Sequence, residues 1–428
     1  MPGESTSRAS APGGAHALLG LALLALSACR TTVDSLGADP ATDGGAEPPG
    51  LAPLVGPSSY PNAFRDVLGK TDAEIDAKLE QAFQRLFHGD PTLEAIYFPT
   101  GADQAYIRDT LHDDIRTEGI GYGMLIAVEL DKREEFDRLW RYARAELEYT
   151  AGPNRGYFLS SCDTGSGVAG PCVDPFGHQQ LVMALLFAHG RWGSASGGID
   201  YGAAAQALLA VMRAKETENG GVVDGVIDMF DDESKLVFDV PNVSAGEVTR
   251  PSIELPGYYR LWAQASGDPF WNEAAASARA HWRSSAHPVT GLWPVRAGFD
   301  GIPVPGWDTF LDEGYRTQLN LVVDRVWTGG EAWQLEQSDR LLAFFSAQGI
   351  DTYGKSYPLD GRACIDCSRE ASLIAVNGAT ALVASVADRR AYIDAVWALE
   401  PPSGLPRYYA GLLHLLALLV LSGNLRVY

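Results

Sequence analysis

Tyr122-Gly-Met-Leu-Ile-Ala-Val-Glu-Leu130 is apolar nearly all the way round a helical projection. Glu135-Phe-Asp-Arg-Leu-Trp-Arg-Tyr-Ala-Arg-Ala-Glu-Leu-Glu-Tyr149, which follows it closely, confines Phe136, Leu139, Trp140, Ala143 and Leu147 to one stripe. A helix with no polar face must be buried on every side, whereas a single apolar stripe leaves the other side wet. The same alternation recurs downstream. Gln180–Ala188 is again apolar all round and Ala203–Ala214 follows it; then come Tyr258–Ala265, Trp271–Ser284, Gln318–Val326, Glu331–Gln348, Ser372–Ser385, Arg389–Ala398 and Ala410–Leu421. Upstream, Thr71-Asp-Ala-Glu74 is a capping box opening a helix with Ile75, Leu79, Phe83 and Leu86 on one side. Strand-like alternation is scarce, Leu236–Val240 being the best short candidate. Helices of two kinds in alternation predict two concentric layers: an all-α toroid with a buried inner ring and a half-wet outer ring.

The composition agrees with a large packed core: 428 residues, 46% apolar and 10% aromatic. With 33 Lys+Arg against 54 Asp+Glu the net charge is −21. That excludes a nucleic-acid partner, because a phosphate backbone requires Lys/Arg clusters. The first residues read differently. Ala17-Leu-Leu-Gly-Leu-Ala-Leu-Leu-Ala-Leu-Ser-Ala-Cys29 is too short to span a bilayer and reads as the core of an export signal. Its end, Leu26-Ser-Ala-Cys29, resembles a bacterial lipobox, which makes Cys29 the candidate lipidated residue and a lipid anchor the expected membrane contact. Residues 30–58, rich in Ala, Gly, Pro and Asp, are expected to be a flexible linker. The expected organisation is thus a signal over 1–29, a linker over 30–58 and one catalytic or binding domain over 59–428, exported and monomeric. In an exported chain, Cys162 with Cys172 and Cys364 with Cys367 read as two short disulfide loops. No His stands at ligand spacing beside them, so no metal site is expected.

A toroid of this kind leaves a cleft at one end, lined by the loops between its rings. The loop segments carry Trp192, Trp293, Trp307, Tyr315, Tyr353, Tyr357, Tyr408 and Tyr409, whose faces suit sugar rings. Each of them could equally close the core.

The most specific motif is Asp114-Ile-Arg-Thr-Glu-Gly-Ile-Gly-Tyr-Gly-Met124. It resembles the segment of glycoside hydrolase family 8 that carries the general acid. Similar stretches run from Ala63-Phe-Arg to Phe136-Asp-Arg-Leu-Trp140, then through Met183-Ala-Leu-Leu-Phe-Ala188, Arg191-Trp-Gly193 and His287-Pro-Val-Thr-Gly-Leu292. They close with Pro402-Ser-Gly-Leu-Pro-Arg-Tyr-Tyr409 and Ser422-Gly-Asn-Leu-Arg426. The resemblance covers roughly residues 60–428 and is nearest the branch of exo-oligoxylanases that release reducing-end xylose. It implies an (α/α)6 barrel, a β-linked carbohydrate substrate, inversion at the anomeric carbon and no cofactor. Inversion needs two carboxyl groups about 6.5–9.5 Å apart, one to protonate the leaving oxygen and one to take a proton from water. Glu118 matches the family acid. Gly119, Gly121 and Gly123 beside it are expected to leave the backbone bare for a close sugar. The family base is an Asp two residues before a Tyr-Arg pair. In Asp312-Glu-Gly-Tyr-Arg316 that position holds Glu313, with Asp312 next to it, so both are candidates.

Other positions depart from the family pattern. In Asp174-Pro-Phe-Gly-His-Gln-Gln180, Phe176 stands where the family has an Asp. Asp174 is the nearby carboxylate that could replace it, and His178 a further polar contact. Glu254 replaces a His of the exo-xylanase branch, Arg296 stands where a carboxylate is usual, and Ala410 follows Tyr409 where an acid is usual. Tyr122, Trp192, Trp293, Tyr315, Arg316 and Tyr409 complete the candidate substrate contacts. The first reading is an inverting glycoside hydrolase. A weakened relative that binds glycans as a surface lipoprotein, and a lyase on a similar toroid, are the competing ones.

Overall fold

Thr117–Glu129 is buried from its first residue to its last, which makes it a spoke of the inner ring. The computed structural model describes residues 50–162, 170–194 and 198–428. Twelve helices among these make the barrel, and we number them in chain order. They are α1 (Asp72–His88), α2 (Thr117–Glu129), α3 (Arg133–Tyr142), α4 (Pro175–Trp192), α5 (Tyr201–Val211), α6 (Pro256–Ser266), α7 (Phe270–Ser285), α8 (Asp312–Thr328), α9 (Ala332–Gln348), α10 (Ala371–Val383), α11 (Arg389–Ala398) and α12 (Arg407–Leu421). The even-numbered helices are the inner ring and the odd-numbered ones the outer. Each inner helix packs against an outer partner: α2 on α3, α4 on α5, α6 on α7, α8 on α9, α10 on α11, and α12 back on α1. Around the ring α2 meets α4, α6 meets α8, α8 meets α10, α10 meets α12 and α12 closes on α2. Tyr258 on α6 donates to Gln180 on α4 at 2.7 Å. The architecture is an (α/α)6 barrel.

Thr71 caps α1 through the expected box, its hydroxyl accepting from Glu74 N–H and the Glu74 carboxylate accepting from Thr71 N–H. Glycines set the spacing of the inner ring. A Cβ on Gly121 would lie 2.4 Å from the Gln180 Cβ, and one on Gly177 would lie 2.6 Å from Glu118 N. Gly121 therefore brings α2 against α4 and is buried, as are Gly119 and Gly123, so these glycines do not bare the backbone to a sugar. Gly121 lets two helix backbones touch, while Gly119 leaves room for the Tyr408 ring and Gly123 for Ile107 and Leu139.

Four short antiparallel pairs cross the connections. They are β1 (Tyr97–Thr100) with β2 (Gln104–Ile107), β3 (Leu159–Cys162) with β4 (Gly170–Val173), β5 (Val248–Thr249) with β6 (Ala297–Gly298), and β7 (Thr309–Phe310) with β8 (Tyr357–Pro358). Leu236–Val240 is not a strand; Val237 makes a lone bridge to Phe230, and the segment wraps the head of α6.

Cys364 and Cys367 form a disulfide. Cys172 is disulfide-bonded too, while the side chain of Cys162 lies outside the described ones. Cys29, the signal and the linker up to residue 49 also lie outside the described residues. From Leu51 the chain is already against the barrel. Ala52 N–H donates to Ala265 O at 2.9 Å and Val55 N–H to Gln264 Oε1 at 2.9 Å. The last part of the expected linker, residues 51–55, is therefore docked, because Leu51 and Leu54 pack on the core.

Candidate active site

The N-terminal ends of the inner helices converge on one cavity of about 710 Å3. Glu118 comes from the first turn of α2, Asp174 caps α4, Asp312 and Glu313 open α8, Glu370 immediately precedes α10, and Tyr408 and Tyr409 open α12. Arg250 enters just ahead of the turn that leads into α6. A helix N-terminus carries unpaired N–H groups and partial positive charge, so an anionic side chain there is stabilised. Asp174 shows this directly: its Oδ1 accepts from Phe176 N–H at 3.0 Å.

The short strand pairs place the cations between these acids. In the β5–β6 register Thr249 faces Ala297, which makes Arg250 and Arg296 neighbours. Asp239 holds both, with Oδ1 2.7 Å from Arg250 Nε and Oδ2 accepting from Arg296 Nε at 2.7 Å. Arg250 reaches on to Asp174 Oδ1 at 2.8 Å and Glu313 Oε1 at 3.2 Å. Arg316, one turn along α8, donates to Glu118 Oε2 at 2.6 Å through Nη1 and to Glu313 Oε1 through Nη2. Ser252 donates to Glu313 Oε2, and Tyr408 donates to Glu118 Oε1 at 3.1 Å. The cleft floor is thus a continuous run of opposite charges from Arg296 to Glu118. Buried charges are tolerated only when paired in this way.

The acids differ in basicity. Burial raises Asp174, helped by the Glu118 charge and opposed by Arg250. Burial in the cleft and the adjacent Glu313 push Asp312 up to about 6. Burial also acts to raise Glu313, but Arg316 and Arg250 outweigh it and hold that carboxyl down at about 2. The site therefore presents one firmly ionised carboxylate, Glu313, beside two, Asp174 and Asp312, that bind protons more readily.

Of the residues singled out in the sequence, Glu118, Asp174, Asp312, Glu313, Arg296, Tyr315, Arg316, Tyr408 and Tyr409 line this cavity. Tyr315 serves its wall by donating to Lys355 O. The others do not line it. Tyr122 is buried beneath the floor, edge-on to Phe176 with centroids 5.3 Å apart. His178 is fully buried between Tyr157 and Phe158, 3.2 Å from Leu208 O, and burial lowers its pKa to about 4. Trp192 lies at the far end of α4, bonded to Asp131 and packed on Phe136 and Tyr201. Trp293 is a core residue whose Nε1 donates to Trp282 O at 2.8 Å. Glu254 stands behind the wall, accepting from Val237 N–H and the Thr249 hydroxyl, both at 3.0 Å. Phe176 is fully buried under the Arg316 guanidinium, 4.9 Å from ring to carbon. It is floor, and Asp174, two residues before it, is the carboxylate that lines the cavity there. Among the described residues the lining holds tyrosines and no tryptophan.

Sequence reasoning missed Arg250, Ser252 and Asp239. No motif marks them; only the β5–β6 register and the turn before α6 bring them in.

Comparison with known proteins agrees with this geometry. Residues 102–423 match the family described as glycosyl hydrolases family 8. The sequence is 36% identical over 380 residues to the reducing-end xylose-releasing exo-oligoxylanase Rex8A of Paenibacillus barcinonensis, covering 86% of this chain and 97% of that one. Endoglucanase 2 of Ruminiclostridium josui is 26% identical over 313 residues, covering 73% of this chain and 64% of that one. The structure of Rex8A complexed with xylose matches with a TM-score of 0.79 at 35% identity, covering 86% of this chain and 98% of that one. A xylobiose complex from Teredinibacter turnerae matches with a TM-score of 0.79 at 32% identity, covering 86% and 98%. The chain belongs to glycosyl hydrolases family 8 and is an inverting glycoside hydrolase.

Proposed function

We propose that this enzyme hydrolyses β-linked xylo-oligosaccharides. Glu118 protonates the leaving glycosidic oxygen, and the carboxylate pair that opens α8, Asp312 and Glu313, supplies the base for the attacking water. One observation carries the reading: Glu118 and Glu313 are bound to the two ends of the Arg316 guanidinium in one cavity. Two carboxyl groups from different helices thus share one cavity, and single displacement by water requires such a pair. The xylan-type substrate is supported by the 36% identity to an exo-oligoxylanase over 86% of the chain. In this reading Asp174, held by Arg250, binds a sugar hydroxyl or the water in place of the family Asp.

The test is product analysis on xylotriose to xylohexaose, with cello-oligosaccharides and chitosan oligomers beside them. Xylose release with an α-configured new reducing end in the first minutes of proton NMR is expected. Glu118→Gln should lower kcat by about 10²–10⁴-fold. Sugar binding by the wild type with no release would instead favour a glycan-binding relative.

We further propose export with Cys29 as the lipid anchor, supported by the apolar run Ala17–Ala28 and by Leu26-Ser-Ala-Cys29. Labelled palmitate should enter the full chain expressed in a Gram-negative host and not the Cys29→Ala variant. Equal labelling of both would sink the anchor.

A further inference from the structure

Two adjacent carboxylates open α8, and their surroundings are not equivalent. Glu313 Oε1 accepts from Arg250 at 3.2 Å and from Arg316, and Oε2 accepts from Ser252. An ionised carboxylate offers roughly four lone-pair sites, and three donors from the protein already occupy this one. Only 11% of the Glu313 side chain is exposed. Asp312 is the reverse case. It lines the same cavity and is exposed to it. Its Oδ1 accepts the Glu313 N–H at 2.9 Å, and it forms no ion pair among the described residues. Its backbone is fixed all the same, because its carbonyl accepts from the Tyr409 hydroxyl.

We propose that Asp312 takes the proton from the attacking water, and that Glu313, at the family's base position, is a positioning residue. The inference rests on the hydrolase reading above and decides which member of the pair is the base. As a permanent anion Glu313 holds Arg250 and Arg316, and through them Asp174 and Glu118. In the step itself the water oxygen bonds to the anomeric carbon as the glycosidic C–O bond breaks. The leaving oxygen receives the Glu118 proton, and one water proton passes to Asp312. A base is most effective when its pKa lies near the working pH. Asp312, pushed up to about 6, meets that condition; Glu313, held down at about 2, does not.

Azide rescue separates the two roles, because an azide ion attacks the anomeric carbon without needing a base. Asp312→Ala and Asp312→Asn should lose about 10²–10⁴-fold in kcat. Sodium azide should restore turnover of Asp312→Ala and yield an α-glycosyl azide from the β-linked substrate. Glu313→Gln should raise KM as well as lower kcat, with no response to azide in it or in Glu313→Ala. The proposal is overturned if azide rescues Glu313→Ala, if it fails to rescue a folded Asp312→Ala, or if Asp312→Ala keeps activity within about tenfold of wild type. Circular dichroism of each variant excludes misfolding as the cause of loss. Wild-type protein that releases no sugar would overturn the hydrolase reading itself, before any variant is compared.

Discussion

Arg316 binds Glu118 with one end of its guanidinium and Glu313 with the other, so a single side chain on α8 ties Glu118 on α2 to the carboxylate pair that opens α8. Phe176 lies beneath the guanidinium and the Tyr409 ring stands 5.7 Å from it. The cation is therefore held by two acids and packed by two rings. Losing it leaves Glu118 and Glu313 without the donor they share.

Arg316→Ala leaves Glu118 and Glu313 buried without their shared counter-ion. Breaking a buried pair from one side costs about 3–5 kcal/mol, to be read as a lower urea midpoint, and kcat should fall at least 100-fold, on the order expected for a misplaced catalytic group. Arg316→Lys keeps the charge but loses the planar fork. It should recover more stability than activity; equal recovery of both would argue against bridging.

Gly121→Ala tests the contact between α2 and α4. The added carbon would meet Gln180 Cβ at 2.4 Å, so the helices must part. Overpacking of this kind costs about 1–3 kcal/mol, and because Glu118 rides on α2, kcat should fall along with thermal stability. An unchanged melting temperature would contradict the spacing role.

Glu254 predicts a pH dependence of stability. Burial raises its carboxyl to about 8 in the folded protein, against hydrogen bonds from Val237 and Thr249 that lower it. The unfolded chain titrates near the ordinary carboxylate value, about 4.3. Between those values the folded state holds a proton the unfolded state has lost. Its contribution is therefore fully present at low pH and falls as pH rises toward 8, by up to about 1.4 kcal/mol per pH unit. Glu254→Gln, neutral at every pH, should flatten the slope of unfolding free energy over that window. A slope unchanged by the substitution would assign it to other groups.

The Cys364–Cys367 disulfide closes a loop whose neighbours form a cleft wall. Lys355 and Ser356 N–H both donate to Asp366 O, and Ile365 N–H donates back to Ser356 O. Lys355, Ser356 and Asp366 line the cavity. Replacing both cysteines by Ser should raise KM several-fold while changing kcat little, since the acids lie on helix ends elsewhere. A fall in kcat at unchanged KM would contradict this.

The architecture was legible because it rests on burial. Helices apolar on all sides have nowhere to go but an inner ring, and the structure places them there. Their beginnings were not legible. Hydrophobic periodicity started the inner helices at Tyr122, Gln180, Gln318 and Ala410, whereas they begin at Thr117, Pro175, Asp312 and Arg407. The missing turns are those that carry Glu118, Glu313, Arg316, Tyr408 and Tyr409, whose polar or mixed side chains break the apolar pattern because they face the cleft.

Sequence alone determined the twelve barrel helices and the layering, the Glu118 motif, and the ambiguity between Asp312 and Glu313. Those follow from local chemistry: apolar periodicity, capping, and residue types at fixed spacing. Only the tertiary structure decided that Trp192, Trp293, His178 and Glu254 serve the core or the wall, and that the glycines after Glu118 seat one helix on another. It alone brought Arg250, Ser252 and Asp239 to the acids. The physical reason is that a charge's role is set by its partners. In this barrel those partners come from different helices and strand registers, 198 residues apart in the Arg316–Glu118 pair and 290 in the Tyr408–Glu118 pair.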